Sequence, residues 1–373
     1  MARDEALGEY VVTGYEACRR VLQDARLLRD RKRASPGSAA SRTYDAPPDD
    51  VPERKNGAGV FIFMDGEDHR RLRRLIGDPL LARVRTGRPL VEKVVRRTLS
   101  ALPTSGAFDL VDDYAIPIPV GVISTLLGLP EKDHERVRAW SDELVLGFNP
   151  FRTKEEDARR WKAVRSMLDY FGARVEAARK QKTEDLISDW VALEEQGAGL
   201  SEREIIDHCV MMLTAGNLST TDLIANAARA VLEDPALQAR VREDPNVLSE
   251  VIEESLRVDP PVTTTDRIAP GEMSVGGCPM HGGDVMVTSL LAANHDSGVY
   301  EQPHVFKIDR PARQHLAFGA GARICLGAPL ARLEASVALR ELFAQRPDLT
   351  LVGDVSLRPV YGHHGPKSLR VVG

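Results

Sequence analysis

The sequence predicts a mainly α protein with a small β portion, and three observations carry that expectation. Apolar residues recur at helical spacing over most of the stretch from residue 67 to 258. Short runs of strand type gather near the two ends and are missing from the middle. No internal repeat divides the chain into equivalent units. With 373 residues, 43% of them hydrophobic, the chain is long enough to bury a core as one large domain or two ordinary ones.

In chain order, Tyr10–Thr13 reads as a strand and Tyr15–Leu22 as a helix. From Arg33 to Gly59 the composition turns to Ser, Pro, Gly, Asp and Lys, which marks a long loop of the kind that often serves function. Helical patterns then cover Glu67–Leu81, Pro89–Leu102, Ile116–Leu127, Glu131–Leu146, Glu155–Lys180 and Glu184–Leu193. Ser201, with Glu204 three residues on, forms a capping box that opens a long helix reaching about Leu232. Further helices fit Pro235–Glu243 and Val247–Val258. Strand-like pieces follow at Val262–Ile268, Met273–Val275 and Val285–Ser289, and a last helix runs from Leu326 to Gln345.

A formal charge of -5 offers no basic surplus for neutralising phosphates, and 5% aromatic residues leave little for stacking bases. Nucleic acid is therefore not an expected partner. The N-terminal Met-Ala-Arg-Asp-Glu-Ala lacks the apolar core of a signal peptide, and no uncharged apolar run nears the roughly 20 residues of a membrane span. A soluble, cytoplasmic protein is expected, without membrane contact and acting as a monomer. Four cysteines, at 18, 209, 278 and 325, are widely spaced and form no CxxC pair, which argues against a disulfide framework or a structural zinc site. Cys18 and Cys209 lie in apolar helical patterns and read as buried, inert thiols. Cys278, close to His281, reads as part of a loop between short strands.

The most informative stretch is Phe318-Gly319-Ala320-Gly321-Ala322-Arg323-Ile324-Cys325-Leu326-Gly327. Its glycines permit tight turns and close approach to a flat partner. Cys325 stands at the mouth of the last helix, where free amide groups favour thiolate over thiol. A thiolate is the axial ligand that pushes electron density onto haem iron and favours O–O cleavage. Arg323 supplies a fixed charge suited to a carboxylate such as a haem propionate.

On this decapeptide the chain resembles the cytochrome P450 family, whose pattern is Phe-x-x-Gly-x-Arg/His-x-Cys-x-Gly. The resemblance extends from about Tyr10 to Val371 and implies one P450 domain over 1–373. It also implies haem b as cofactor, with Cys325 as the metal ligand. Glu254-Ser255-Leu256-Arg257 matches the family's Glu-x-x-Arg, which implies a structural ion pair on one helix face; by itself the pair would read as exposed. His69 and Arg73 match His-x-x-x-Arg, a spacing that lets both reach one propionate. Arg267, His315 and Phe318 stand at further haem-contacting positions of bacterial relatives. Relatives usually carry a helix and a first strand ahead of the segment matching Tyr10–Thr13. Only nine residues precede it here, so the N-terminal helix and first strand are expected to be missing.

One departure bears on chemistry. The long helix carries Thr214-Ala215-Gly216-Asn217-Leu218-Ser219-Thr220-Thr221 where the family usually has Ala/Gly-Gly-x-Asp/Glu-Thr. The resemblance implies that Ala215 and Gly216 leave room for O2 beside the haem. Leu218 occupies the acid position and Ser219 the threonine position, and leucine cannot pass a proton. Ser219, Thr220 and Asn217 are thus the candidate catalytic residues, with ordered water or the substrate as other carriers. Hydroxylation through a water relay, a substrate that brings its own polar group, and a reaction other than hydroxylation all stay open.

By resemblance, substrate contacts come from the 34–63 loop, Gly147–Thr153, the long helix, Val262–Thr265 and Val360–His364. Phe61, Ile62, Leu213, Val262, Thr264 and Tyr361 are the candidates, a set suited to a small, mainly apolar molecule such as a terpenoid, steroid-like or polyketide metabolite. His363 and His364 read as solvent-facing, with an anchor for a substrate carboxylate as the other reading. The chain has no electron-transfer domain of its own, so a ferredoxin or flavodoxin is expected to dock near Arg323. The alternatives are a partner-independent haem enzyme, driven by peroxide or catalysing a different oxidation, and a haem-binding ligand sensor without turnover.

Overall fold

The computed structural model describes residues 1–43, 59–311 and 314–373. Its elements, in chain order, are β1 (Ala2–Asp4), β2 (Glu9–Val12), α1 (Tyr15–Gln23), α2 (Ala39–Thr43), α3 (Gly66–Thr86), α4 (Arg88–Ala101), β3 (Ala107–Asp109) and α5 (Pro117–Leu126). Then come α6 (His134–Val145), α7 (Lys154–Lys180), α8 (Leu186–Glu195), α9 (Glu202–Glu233), α10 (Pro235–Glu243) and α11 (Leu248–Val258). The chain closes with β4 (Thr264–Ile268), β5 (Met273–Val275), β6 (Cys278–Met280), β7 (Val285–Ser289), α12 (Leu290–Asn294), α13 (Ala328–Gln345), β8 (Thr350–Leu351) and β9 (Arg370–Val372). The mainly α character and the small β portion agree with the sequence reading. Among the described residues no helix is long and apolar enough to cross a membrane.

The spine is α9, 32 residues and about 48 Å long. The Ser201 hydroxyl accepts from the Glu204 amide, and the Glu204 carboxylate accepts from the Ser201 amide at 2.9 Å, which closes the expected capping box. Ile205, Cys209, Leu213, Ile224, Ala227 and Val231 are fully buried. The small residues Ala225, Ala227 and Ala228 let neighbouring helices approach closely, and α5, α7, α11 and α13 pack around this spine. Burial raises the thiol pKa of both Cys209 and Cys18, the latter to about 12, as suits inert core cysteines.

The main sheet has the order β1-β2-β7-β4, with β2 and β7 parallel and the other pairs antiparallel. Leu28 adds an antiparallel bridge to Ile268 at the edge of β4, which lays the segment after α1 beside that strand. A second sheet joins β3, β9 and β8.

Several local expectations need correction. A first strand is present: β1 pairs with β2 through Ala2 opposite Val11. Cys278 is not in a loop but in β6, paired with β5 across Gly276 and Gly277. Both glycines adopt positive φ, 59° and 82°, the geometry of a two-residue type I′ hairpin that the dipeptide signals on its own. The 33–59 stretch contains α2, and residues 44–58 lie outside the described part. A π-helical turn at Leu110–Ala115 had no sequence signal.

Glu254 and Arg257 on α11 are buried, 6% and 3% exposed, rather than facing solvent. Their bidentate pair has contacts of 2.8 and 2.7 Å. Arg257 also donates to the carbonyls of Asn294 and Pro303, and Glu254 accepts from Arg310 and from the Lys307 amide. One helix face thereby ties the 294–310 segment to the core. Removing one partner of a buried pair strands the other, at about 3–5 kcal/mol. Arg257→Ala is expected to lower unfolding free energy by about 3 kcal/mol in urea titration, and a loss below ~1 kcal/mol would show that Arg310 alone satisfies Glu254.

Candidate active site

A cavity of about 380 Å³ lies between α9, the turn preceding α13, β4, the 61–63 turn and the 361–363 segment. The turn at its floor is built by sequence. Gly319 and Gly321 adopt φ of +72° and +73°, where other residues are strained. Gly321 also abuts α1, since a Cβ there would stand 3.0 Å from Gln23 Cα and 3.2 Å from the Leu22 carbonyl oxygen. The Cys325 amide donates to the Phe318 carbonyl at 2.9 Å and closes the turn. Phe318, Arg323 and Cys325, expected at the haem, all line the cavity.

The amides of Gly327 and Ala328 donate to the Cys325 sulfur, so the helix mouth does supply the foreseen donors. The Cys325 side chain opens onto the cavity, and those amides together with the charges of Arg73 and Arg332 favour its anion.

Cations crowd one side of the cavity. His69, Arg73, Arg267 and Arg323 line it as expected, and Arg29 and Arg31 join them unforeseen. Arg323 donates to the Met64 carbonyl and pairs with Asp65, so it is half-buried rather than on a donor-facing surface. Asp65 also accepts from the Arg29 and Asp30 amides. Arg29 pairs with Asp266 and donates to its carbonyl, and Arg31 lies 3.5 Å from the same carboxylate. Arg73 donates to the Ile324 carbonyl and Arg267 to the Asp266 carbonyl.

Five arginines thus face Asp65, Asp266 and Glu9, and burial raises Glu9 to about 7. Burial, followed by Arg29, lowers Arg267 to about 9 even beside Asp266. Burial, with Arg323 and Arg73, lowers His69 to about 4. A buried cation surplus of this kind fits a dianionic partner, and the two propionates of the haem implied by the resemblance are such a pair. The fifth haem-contact candidate needs correction. His315 lies outside the cavity lining: its Nε2 is 3.1 Å from Glu253, and its Nδ1 accepts from the Ala317 amide.

On α9 the cavity is lined by Thr214, Ala215, Ser219 and Leu223. The last three recur every four residues, so one helix face meets the cavity and its neighbours do not. Asn217 points the other way and donates to Ser141 Oγ at 2.8 Å. Thr220 and Leu213 are buried against other helices, and Gly216 and Leu218 also fall outside the lining. Of the three catalytic candidates only Ser219 faces the cavity, where its hydroxyl donates to the Ala215 carbonyl at 2.8 Å. Of the substrate candidates, Phe61, Ile62, Val262, Thr264 and Tyr361 line the cavity and Leu213 does not. His363 lines it as well, against the reading that faced it to solvent. Ala39 and Ala40, in the 34–63 segment, and Phe148, in the 147–153 segment, also line it, though none of the three was singled out within those segments.

Comparison with known proteins points to one family. The family model described as cytochrome P450 matches residues 12–345. The chain is 34% identical to 6-deoxyerythronolide B hydroxylase of Saccharopolyspora erythraea, over 92% of this chain and 84% of the relative. It is 33% identical to vitamin D(3) 25-hydroxylase of Pseudonocardia autotrophica, over 92% and 81%. Ligand-free CYP164A2 of Mycobacterium smegmatis superposes with a TM-score of 0.87 at 34% identity, covering 97% of this chain and 90% of that one.

Glu9 generates a prediction at the cavity's edge. It is 2% exposed and accepts from the Ala40 amide at 2.6 Å. Its folded value of about 7 stands above the ordinary 4.5, so its contribution is full below pH 4.5 and is lost as pH rises through 7. Glu9→Gln removes that titration. Relative to the variant, the wild type should lose stability between about pH 4.5 and 7.5 in urea unfolding, and a pH-independent difference would refute it.

Proposed function

The chain belongs to the cytochrome P450 family, and on that premise we propose that Cys325 supplies the haem-binding thiolate and that the substrate is a small, mainly apolar molecule. It is a haem b monooxygenase, in keeping with relatives named as hydroxylases. The observation that carries the assignment is Cys325 at the floor of a cavity whose other lining combines apolar side chains with a surplus of buried and half-buried arginine. Thiolate-bound haem supplies the electron density that favours O–O cleavage.

The remaining work falls to the chain. Arg73, Arg267 and Arg323, with neutral His69, would hold the propionates of a bound haem and offset their charge. Ala215 leaves space on the α9 wall for O2, and Phe318, in the turn that carries Cys325, would pack against a bound haem. Phe61, Ile62, Val262 and Tyr361 exclude water and bury the substrate, with Thr264 as a polar contact. Ser219 moves the proton. With Asn217 bonded to Ser141 and Thr220 buried elsewhere, its hydroxyl and that of Thr214 are the α9 hydroxyls on the cavity wall. Rotation away from the Ala215 carbonyl frees Ser219 to donate.

Electrons come from a ferredoxin. Arg70 and Arg74 are exposed on α3, the helix that contacts the Cys325 turn through Arg73 and Gly77, and they offer positive charge to an acidic donor. Arg323, committed to Asp65, does not take part.

Two outcomes test this reading. Cys325→Ala should abolish the thiolate-type spectrum of the reduced carbonyl complex; its persistence would remove Cys325 as ligand. Ser219→Ala should raise hydrogen peroxide released per electron pair by about tenfold with substrate affinity unchanged, and unaltered coupling would move proton delivery to another group.

A further inference from the structure

The wall opposite the arginines contains a second arrangement of buried polar groups. Asp222 lies on α9, 1% exposed, one residue before the cavity-lining Leu223. Its Oδ1 accepts from Arg358 at 3.0 Å. Its Oδ2 faces His363 Nδ1 at 4.0 Å, and neither of those two atoms has a hydrogen-bond partner among the described residues. His363 lines the cavity, with its ring 5.2 Å from that of Phe148.

The arrangement is held firmly. Gly365 makes room for the carboxylate, because a Cβ there would fall 2.1 Å from Asp222 Oδ1. One turn further along α9, Asn226 donates to the carbonyls of Asp259 and His364. His364 Nε2 lies 3.2 Å from Asp259. Thr263 donates to the Gly362 carbonyl at 2.9 Å, and Val262 bridges His363. Two helix side chains and one strand edge therefore fix a single imidazole against the cavity.

Resting on the P450 reading above, we propose that His363, positioned by Asp222, is the polar anchor for substrate, and that it takes a hydroxyl group on an otherwise apolar molecule. Closing the 4.0 Å gap by about one ångström gives Nδ1–H a bond to Asp222 Oδ2. Burial raises Asp222 to about 7, and with the carboxylate ionised beside Arg358 above that value the bond fixes the tautomer and leaves Nε2 toward the cavity as an acceptor, which suits a hydroxyl donor. A carboxylate is the poorer ligand. It needs a cationic ring, and burial together with Arg358 keeps His363 at about 4. Arg358 is paired with Asp222 and does not line the cavity, so it gives such an anion no charge. An anchored hydroxyl fixes which carbon is presented for oxidation, as a specificity-determining contact does.

The test uses the full, haem-loaded chain and three matched probes: dodecan-1-ol, its methyl ether and dodecanoate. Binding is read from the spin-state change in haem absorbance. The wild type should bind the alcohol about five- to tenfold more tightly than the ether, the worth of one hydrogen bond. His363→Phe should erase that ratio, and His363→Gln, whose amide oxygen accepts, should restore part of it. Asp222→Asn should lower it; if that variant does not fold, the two His363 variants decide. An equal ratio in the wild type and His363→Phe, tightest binding of dodecanoate, or no spectral change with the alcohol would overturn the proposal. The reduced carbonyl spectrum of the same wild-type sample is recorded first. Absence of its thiolate form removes the P450 reading and this inference with it; its presence with an unselective cavity removes this inference alone.

Discussion

Five arginines around one cavity wall are the constraint on which the rest of the structure depends. Each guanidinium withdrawn from water carries a desolvation cost of several kcal/mol unless charge or hydrogen bonds replace the lost solvent. Asp65 and Asp266 provide that replacement from two sides. Asp65 joins the Arg29 and Asp30 amides to Arg323, and so ties the segment after α1 to the turn that carries Cys325. Asp266 does the same within the sheet. Burial alone would raise it, yet Arg29, Arg31 and Arg267 hold it far below the usual carboxylate range. The charge left over is a demand for an anionic partner, so the haem completes the electrostatics of this wall as well as the chemistry of the site.

The opposite wall is governed by periodicity. A straight helix can turn only about one residue in four toward a cavity, so α9 shows Ala215, Ser219 and Leu223 and withholds what lies between them. That is why three adjacent polar residues, Asn217, Ser219 and Thr220, do not share a role. Asn217 and Thr220 belong to the packing of α9, and the Ser219 hydroxyl is left to the cavity.

Much of this was legible in the sequence. Long helices with caps and apolar spacing were readable because each carries its own signal, as Ser201 and Glu204 do for α9. The Cys325 turn was readable because its glycines, its cysteine and the following helix are contiguous. What escaped was set by distant parts of the chain. Arg29 and Arg31 sit in a basic run that looks like solvated surface until Leu28 bridges Ile268 and lays them beside Asp266. His315 occupies the right position along the chain, yet Glu253 on α11 claims its ring. Glu254 and Arg257 read as an exposed pair by spacing alone, because i,i+3 says only that two groups share a face and not which way the face turns.

The missing acid at Leu218 and the buried acid at Asp222 are best understood together. They are four residues apart on α9, so they stand one turn from each other along the same helix. At 218, where the family usually carries an acid, the side chain is apolar and outside the lining. At 222 a carboxylate is present, and it is directed at the 358–365 segment through Arg358 and His363. The helix thus places a buried carboxyl group, raised to about 7 by burial, behind the substrate wall. Proton delivery then rests on weakly acidic hydroxyls, whose efficiency depends on where the reacting carbon and any water are held. A rigid polar anchor one turn away sets that position. An enzyme with a less specialised proton relay gains more from a precisely held substrate, and the polar groups of α9 are distributed in that sense.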